Sequence, residues 1–103
     1  MSNQDLTSLT RKRGSVKARI TNFKTTLEAL VNLETLTDIQ IIDLQQKIER
    51  IKSLYNEFDA IQCQIECIAD DVDQQYEERL TIENNLDLHL ATAKSILQKY
   101  TNN

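Results

Sequence analysis

Leu6, Leu9, Val16, Ile20, Phe23, Leu27 and Leu30 follow one another at alternating spacings of three and four, and only Arg13 interrupts the series. That rhythm draws one narrow apolar stripe along a helix, and a chain in water must cover such a stripe with other helices. The sequence has no proline and a single glycine, so little in it stops a helix. Long packed helices are therefore expected, and with them a function of holding molecules together.

The remaining composition agrees with this expectation. A chain of 103 residues makes one small domain. With 40% apolar but only 5% aromatic residues, it can build a thin aliphatic core between helices and not a deep cavity. Scarce glycine argues against a sheet-rich or loop-rich enzyme fold. One histidine, His89, and no tryptophan leave little material for an active site, so no catalytic residue, cofactor or small-molecule substrate is expected. No apolar run is long enough to span a bilayer, and the polar N-terminus is unlike a signal peptide. The expected location is intracellular, in the cytoplasm.

The first helix is predicted over about 4–32, with Gly14 inside it at a cost of roughly 1 kcal/mol against alanine. The second has the clearest start. Thr37 can cap, Gln40 completes a capping box, and Leu36 can staple onto Ile41. Its seam reads Ile41, Leu44, Ile48, Ile51, Tyr55, Phe58, Ile61, Ile65, Ile68 and Val72. The step from Phe58 to Ile61 is three where four is due, a stammer that overwinds the coil locally. A break is expected between Asp70 and Asp73, where carboxylates disfavour a helix C-terminus and favour the next N-terminus. Asp73 is a competent cap. The third helix follows along Tyr76, Leu80, Leu86, Leu90, Ala93, Leu97 and Tyr100. Helices over about 4–32, 38–70 and 74–100 with short connections predict an all-α, antiparallel three-helix bundle. One continuous rod through the second and third helices is the alternative.

A net charge of −4 conceals an asymmetry. Arg11, Lys12, Arg13, Lys17, Arg19 and Lys24 lie together with no acid among them, whereas Glu66, Asp70, Asp71, Asp73, Glu77 and Glu78 crowd the middle of the chain. Lys12, Lys17, Arg19 and Lys24 flank the first seam at positions that pair with acids on a neighbouring helix. The second helix places Lys47 and Lys52 beside its own seam, with Asp43, Glu49 and Glu57 further out. Internal pairing is therefore expected to be incomplete. The remaining charge could meet RNA or an anionic membrane through Arg11, Lys12, Lys17, Arg19 and Lys24. No aromatic residues alternate with these cations, so a nucleic-acid contact would be to phosphate.

Other features read more plainly. Arg13 is expected to pack its aliphatic stem while its guanidinium escapes to solvent. Cys63 and Cys67 share a helical face but lack the further ligands a zinc site needs, so reduced thiols and no metal are expected. Glu77, Glu78 and Glu83 read as a solvated face. Leu88, opposite Leu86 and Leu90, and the two cysteines hint at a second contact surface.

The stretch RKRGSVKARITNFKTTLE over residues 11–28, with Ile20-Thr21-Asn22-Phe23 at its centre, resembles the start of Gag-type polyproteins of BEL/Pao LTR retrotransposons. LQQKIERIKSLYNEFDAIQCQIE over 44–66 is similar to the family's following segment, through Phe58, Asp59, Gln62, Ile65 and Glu66. Glu78, Arg79, Glu83, Ala91 and Ala93 extend the likeness to the third helix. The resemblance implies a helical N-terminal Gag region that contributes to particle assembly, or a host protein derived from one. Asn22 stands where the family pattern has a basic residue, which weakens any transfer of nucleic-acid or membrane binding. No zinc knuckle, capsid segment or protease follows in this sequence.

Self-association through helix faces is accordingly the first expected function, giving a homo-oligomer or a complex with another helical protein. The candidate packing and assembly residues are Val16, Ile20, Phe23, Leu27, Leu30, Ile48, Ile51, Tyr55, Phe58, Ile61, Ile65, Leu86, Leu90 and Leu97. The alternatives are an electrostatic module that displays the basic first helix, and an adaptor coiled coil. A spectrin-like repeat fits in length but would carry a tryptophan.

Overall fold

A computed structural model describes residues 3–101 as three helices, α1 (Asn3–Val31), α2 (Asp38–Ile68) and α3 (Val72–Thr101), with no strand among the described residues. They pack side by side in an up-down-up arrangement. Arg13 and Arg19 of α1 meet Gln62 and Glu57 of α2, so those two helices run antiparallel. Arg13 and Lys17 meet Gln75 and Glu78, so α1 and α3 run parallel. The bundle is a rod of 54 × 21 × 20 Å. Its Cα radius of gyration of 16.3 Å exceeds the ~13 Å of a spherical domain of about this length.

The core is a single apolar column, aliphatic but for Phe23 and Phe58. Leu9, Val16, Ile20, Phe23 and Leu27 of α1 are buried, with Leu6 and Leu30 half-buried at the two ends of the stripe. From α2 come Leu44, Ile48, Ile51, Leu54, Phe58, Ile61 and Ile65, with Ile41, Tyr55 and Ile68 half-buried. From α3 come Ile82, Leu86, Leu90, Ala93 and Ile96, with Leu97 and Tyr100 half-buried. A helix that faces two neighbours buries its seam and one flank, which explains why Leu54 and Ile61 are inside beside Tyr55 and Phe58.

Local chemistry fixes the connections. The Thr37 hydroxyl accepts from the Gln40 amide at 3.1 Å, and the Gln40 side chain accepts from the Thr37 amide at 2.8 Å. Together they form the capping box expected at the start of α2. The Tyr100 hydroxyl accepts from the Leu36 amide at 2.8 Å, which ties the α1–α2 connection to the far end of α3. The other connection is abrupt. Ala69 takes an extended conformation (φ −70°, ψ 146°) and closes α2, so α2 and α3 are separate helices and not one rod.

Three expectations need correction. Val72 does not end the second seam; it opens α3 and is exposed. Asp73 lies within the first turn of α3 and does not cap it. Tyr76 and Leu80 face solvent, and the α3 seam instead runs through Gln75, Arg79, Ile82 and Leu86. The apolar residues beside those first two polar slots give a false register.

Candidate functional site

Gln62 is the one fully buried polar side chain among the described residues, at 0% exposure. It lies four residues after Phe58, where an uninterrupted heptad on α2 puts its seam. The apparent stammer at Ile61 is thus a regular seam with a polar slot. Arg13 fills the matching slot on α1 and Gln75 the matching slot on α3. The Arg13 Nη1 donates to Gln62 Oε1 at 3.0 Å and to Gln75 Oε1 at 2.6 Å. Gln62 Nε2 donates to the Gln75 carbonyl at 2.9 Å and to Glu66 Oε2 at 3.2 Å. Gln75 Nε2 reaches the Asp71 carboxylate. Each helix contributes one member to this layer, and no buried side-chain nitrogen or oxygen among the described residues lacks a partner. The Arg13 guanidinium therefore turns into the layer, not away from it as the sequence suggests.

One turn further along α3, Arg79 binds four side chains. Its Nε and Nη2 donate to the two Glu66 carboxylate oxygens at 2.9 and 3.3 Å. Its Nη1 donates to Asp59 at 2.7 Å and Glu83 at 3.1 Å, and its Nη2 reaches Cys63 Sγ at 3.4 Å. The guanidinium carbon stands 6.0 Å from the centroid of the Phe58 ring, at the outer limit of a cation–π contact. Hydrogen bonding to Glu66 first, then to Asp59, raises the Arg79 pKa. In return, Arg79 holds the Glu66 carboxyl below its ordinary value against the opposing effect of burial. Phe58, Asp59, Gln62, Glu66, Arg79 and Glu83 are all members of this network.

The basic run divides in two. Lys17 pairs with Glu78 of α3 at 2.7 Å, and Arg19 with Glu57 of α2 at 3.2 Å. Glu57 therefore lies within reach of α1, not further out. Lys47 and Lys52 are occupied by Asp43 and Glu49 on their own helix. Arg11, Lys12 and Lys24 are exposed and have no ion pair among the described residues. Of the five candidate cations, two are thus held in interhelical ion pairs and three have no ion pair among the described residues.

The candidate assembly residues have a different fate. Val16, Ile20, Phe23, Leu27, Ile48, Ile51, Phe58, Ile61, Ile65, Leu86 and Leu90 are buried inside this one chain, and Leu30, Tyr55 and Leu97 are half-buried against them. A second copy cannot reach these seams while the bundle is closed. Apolar surface is left outside in other places. Val72, Tyr76 and Leu80, spaced four apart, form one stripe on the first turns of α3, at 55%, 58% and 42% exposure. Leu88 and Val31 stand open at 60% and 58% over the groove between α1 and α3. Ile39 and Ile42 project from the start of α2.

His89 lies in that α1–α3 groove. Burial lowers its pKa, the nearby Lys24 lowers it further, and Glu28 opposes the shift. Cys63 and Cys67 are free and exposed. No group of residues able to hold a metal ion, and no helix long and apolar enough to cross a membrane, occurs among the described residues. No protein-family model, curated protein or solved structure matches this chain.

Two signals in the sequence could have found the polar layer. Strict continuation of the heptad past Phe58 lands on Gln62, and stepping back by seven from Ile82 lands on Gln75. Tracking apolar residues alone conceals both.

Proposed function

We propose that this chain is a non-enzymatic assembly domain of the kind its likeness to the N-terminal Gag region implies, a closed helical bundle that self-associates through its outer faces. The observation that carries this reading is the placement of apolar surface. A 103-residue bundle that already covers its three seams keeps Val31, Val72, Tyr76, Leu80 and Leu88 in water, and exposed apolar groups gathered in stripes or over grooves serve contacts. Sedimentation velocity over a concentration series at low and high salt tests it. Apolar assembly gives a mass that rises with concentration and persists in salt, whereas a monomer at every concentration rules self-association out.

An electrostatic reading stands second because Arg11, Lys12 and Lys24 keep free charges beside the spent Lys17 and Arg19. It requires binding of RNA or anionic vesicles that weakens steeply with ionic strength. Glutamine at Arg11, Lys12 and Lys24 would abolish that binding, and none of the three side chains takes part in the bundle's own ion pairs. Undiminished binding by the triple variant would exclude this reading. A third reading, an adaptor that docks a different helical protein on the same outer faces, would leave the isolated chain monomeric.

A further inference from the structure

Two exposed apolar surfaces on this molecule differ in shape, in charge and in position along the rod. The first is a ridge. Val72, Tyr76 and Leu80 lie one turn apart on α3 next to the α2–α3 connection, and residues four apart share a helix face. Asp73 and Glu77 accompany them, and neither has a cationic partner among the described residues. The second is a groove. It runs between the C-terminal halves of α1 and α3, over Lys24, Leu27, Glu28, Val31, Leu88 and His89. From Val31 and Thr92 it continues to Ile96 and Lys99. The two stretches hold about 380 and 410 Å³ and are open to solvent. Lys24 and Lys99 have no ion pair among the described residues, and Glu28 is the single acid lining the groove.

The ridge is convex, apolar and acidic; the groove is concave, apolar and edged by two free lysines. They belong to opposite halves of a 54 Å rod, because α3 carries the ridge in its first turns and the groove from its midpoint onward. Resting on the self-association reading above, we propose that the α3 ridge of one copy seats in the α1–α3 groove of the next. Tyr76 enters beside Leu88 and Val31, and Asp73 and Glu77, one turn apart, come to lie on the side of Lys24, with Lys99 adding positive charge further along the groove. Charge complementarity selects a second copy as occupant, since the free charges of the two surfaces are opposite in sign and both belong to this chain.

Such a contact is heterologous. Each copy uses its ridge once and its groove once, so association does not close at a dimer unless the rotation between copies returns to its start. Both patches are small, so a single contact is weak and growth depends on concentration. The amphipathic tyrosine at the ridge centre is the residue type that dominates small interfaces.

Two variants and their mixture test this. Tyr76→Ser removes the ridge and Leu88→Asp removes the groove. Both residues are exposed, so each variant should keep the circular dichroism and thermal midpoint of the parent chain. Each alone should associate roughly tenfold or more weakly than the parent, the loss expected for a central aromatic or a charge placed in an apolar contact. Mixed in equal amounts, they retain one intact ridge and one intact groove between them, and sedimentation should show a discrete 1:1 heterodimer that grows no further. A parent chain that associates while both variants associate as well as it does would overturn the ridge-in-groove contact and leave self-association standing. Two weak variants that fail to pair on mixing would also overturn it, because a symmetric contact predicts that result. A parent chain that stays monomeric throughout overturns both proposals together.

Discussion

Arg79 gathers Glu66, Asp59, Glu83 and Cys63 around one guanidinium that is itself largely buried. Its carboxylate partners are more exposed than it is, so solvent screens part of the attraction and the cluster contributes modestly. Arg79→Gln should cost about 1–2 kcal/mol near neutral pH, the range for losing charge-assisted bonds at a half-exposed site. The pH dependence follows from Glu66. Its folded-state pKa lies below the ordinary 4.5, chiefly through the Arg79 hydrogen bonds. Its contribution is therefore complete above that ordinary value and disappears as pH falls through the lower, folded-state value. Glu78, depressed chiefly by its bond from Lys17, follows the same sign. Urea denaturation of the parent and the Arg79→Gln variant at about pH 7 and about pH 3 should show the gap between them shrinking in acid. An equal gap at both would mean that Arg79 acts through packing alone. His89 adds an earlier loss: its folded-state pKa is below 6.5, so stability begins to fall as pH drops below that value.

The helices differ in how much of their packing can be read from residue order. On α1 the apolar stripe has one polar slot in eight positions, and the period survives it. On α3 the first two seam slots are Gln75 and Arg79, and Tyr76 and Leu80 stand one residue away. Apolar periodicity then selects the exposed flank, and Ile82 and Ile96 go unnoticed. The failure on α2 is smaller and of the same origin, because Gln62 occupies the slot that Ile61 seemed to fill. Hydrophobicity marks a seam only where the seam is hydrophobic; a buried polar layer is legible only when polar residues are tracked at the same period. The capping box at Thr37 and Gln40 depends on four adjacent residues and needs no tertiary partner, which is why it could be read directly. Gly14 belongs to this scale too. It sits in the interior of α1, and a Cβ placed there would meet nothing within 4 Å. Gly14→Ala should raise stability by about 0.5–1 kcal/mol by restricting the unfolded chain. No gain in the denaturation midpoint of the monomer would show that α1 is not helical through Ser15 in solution.

Across the whole molecule, the Arg13–Gln62–Gln75 layer and the Arg79 cluster sit toward one end of the rod, with Leu9 and Ile65 buried beyond the layer and the apolar column filling the remaining length. A buried polar layer specifies register and direction at some cost in stability. Replacing Arg13, Gln62 and Gln75 together by leucine should raise the melting temperature and lose the single arrangement, seen as broadened amide resonances or mixed masses. Gln62→Leu alone should do the reverse, lowering the melting temperature because Arg13 and the Gln75 carbonyl lose a buried partner. A triple variant that melts lower than the parent would show that the layer is a stabilising element and not a specifying one. The free charges and exposed apolar stripes were only partly legible at this scale. Whether a lysine is spent or free depends on which acid the fold brings across, as Glu57 and Glu78 show, and no single helix contains that information.

Small-angle X-ray scattering on a dilution series addresses the closed bundle most directly. Three seams satisfied within one chain require, at infinite dilution, a mass of 11.9 kDa and a radius of gyration close to 16.3 Å. Larger species should then appear only as concentration rises. A two-chain mass that persists at the lowest concentration, with a longer radius, would mean that the seams are shared between chains and that the bundle described here does not close on itself.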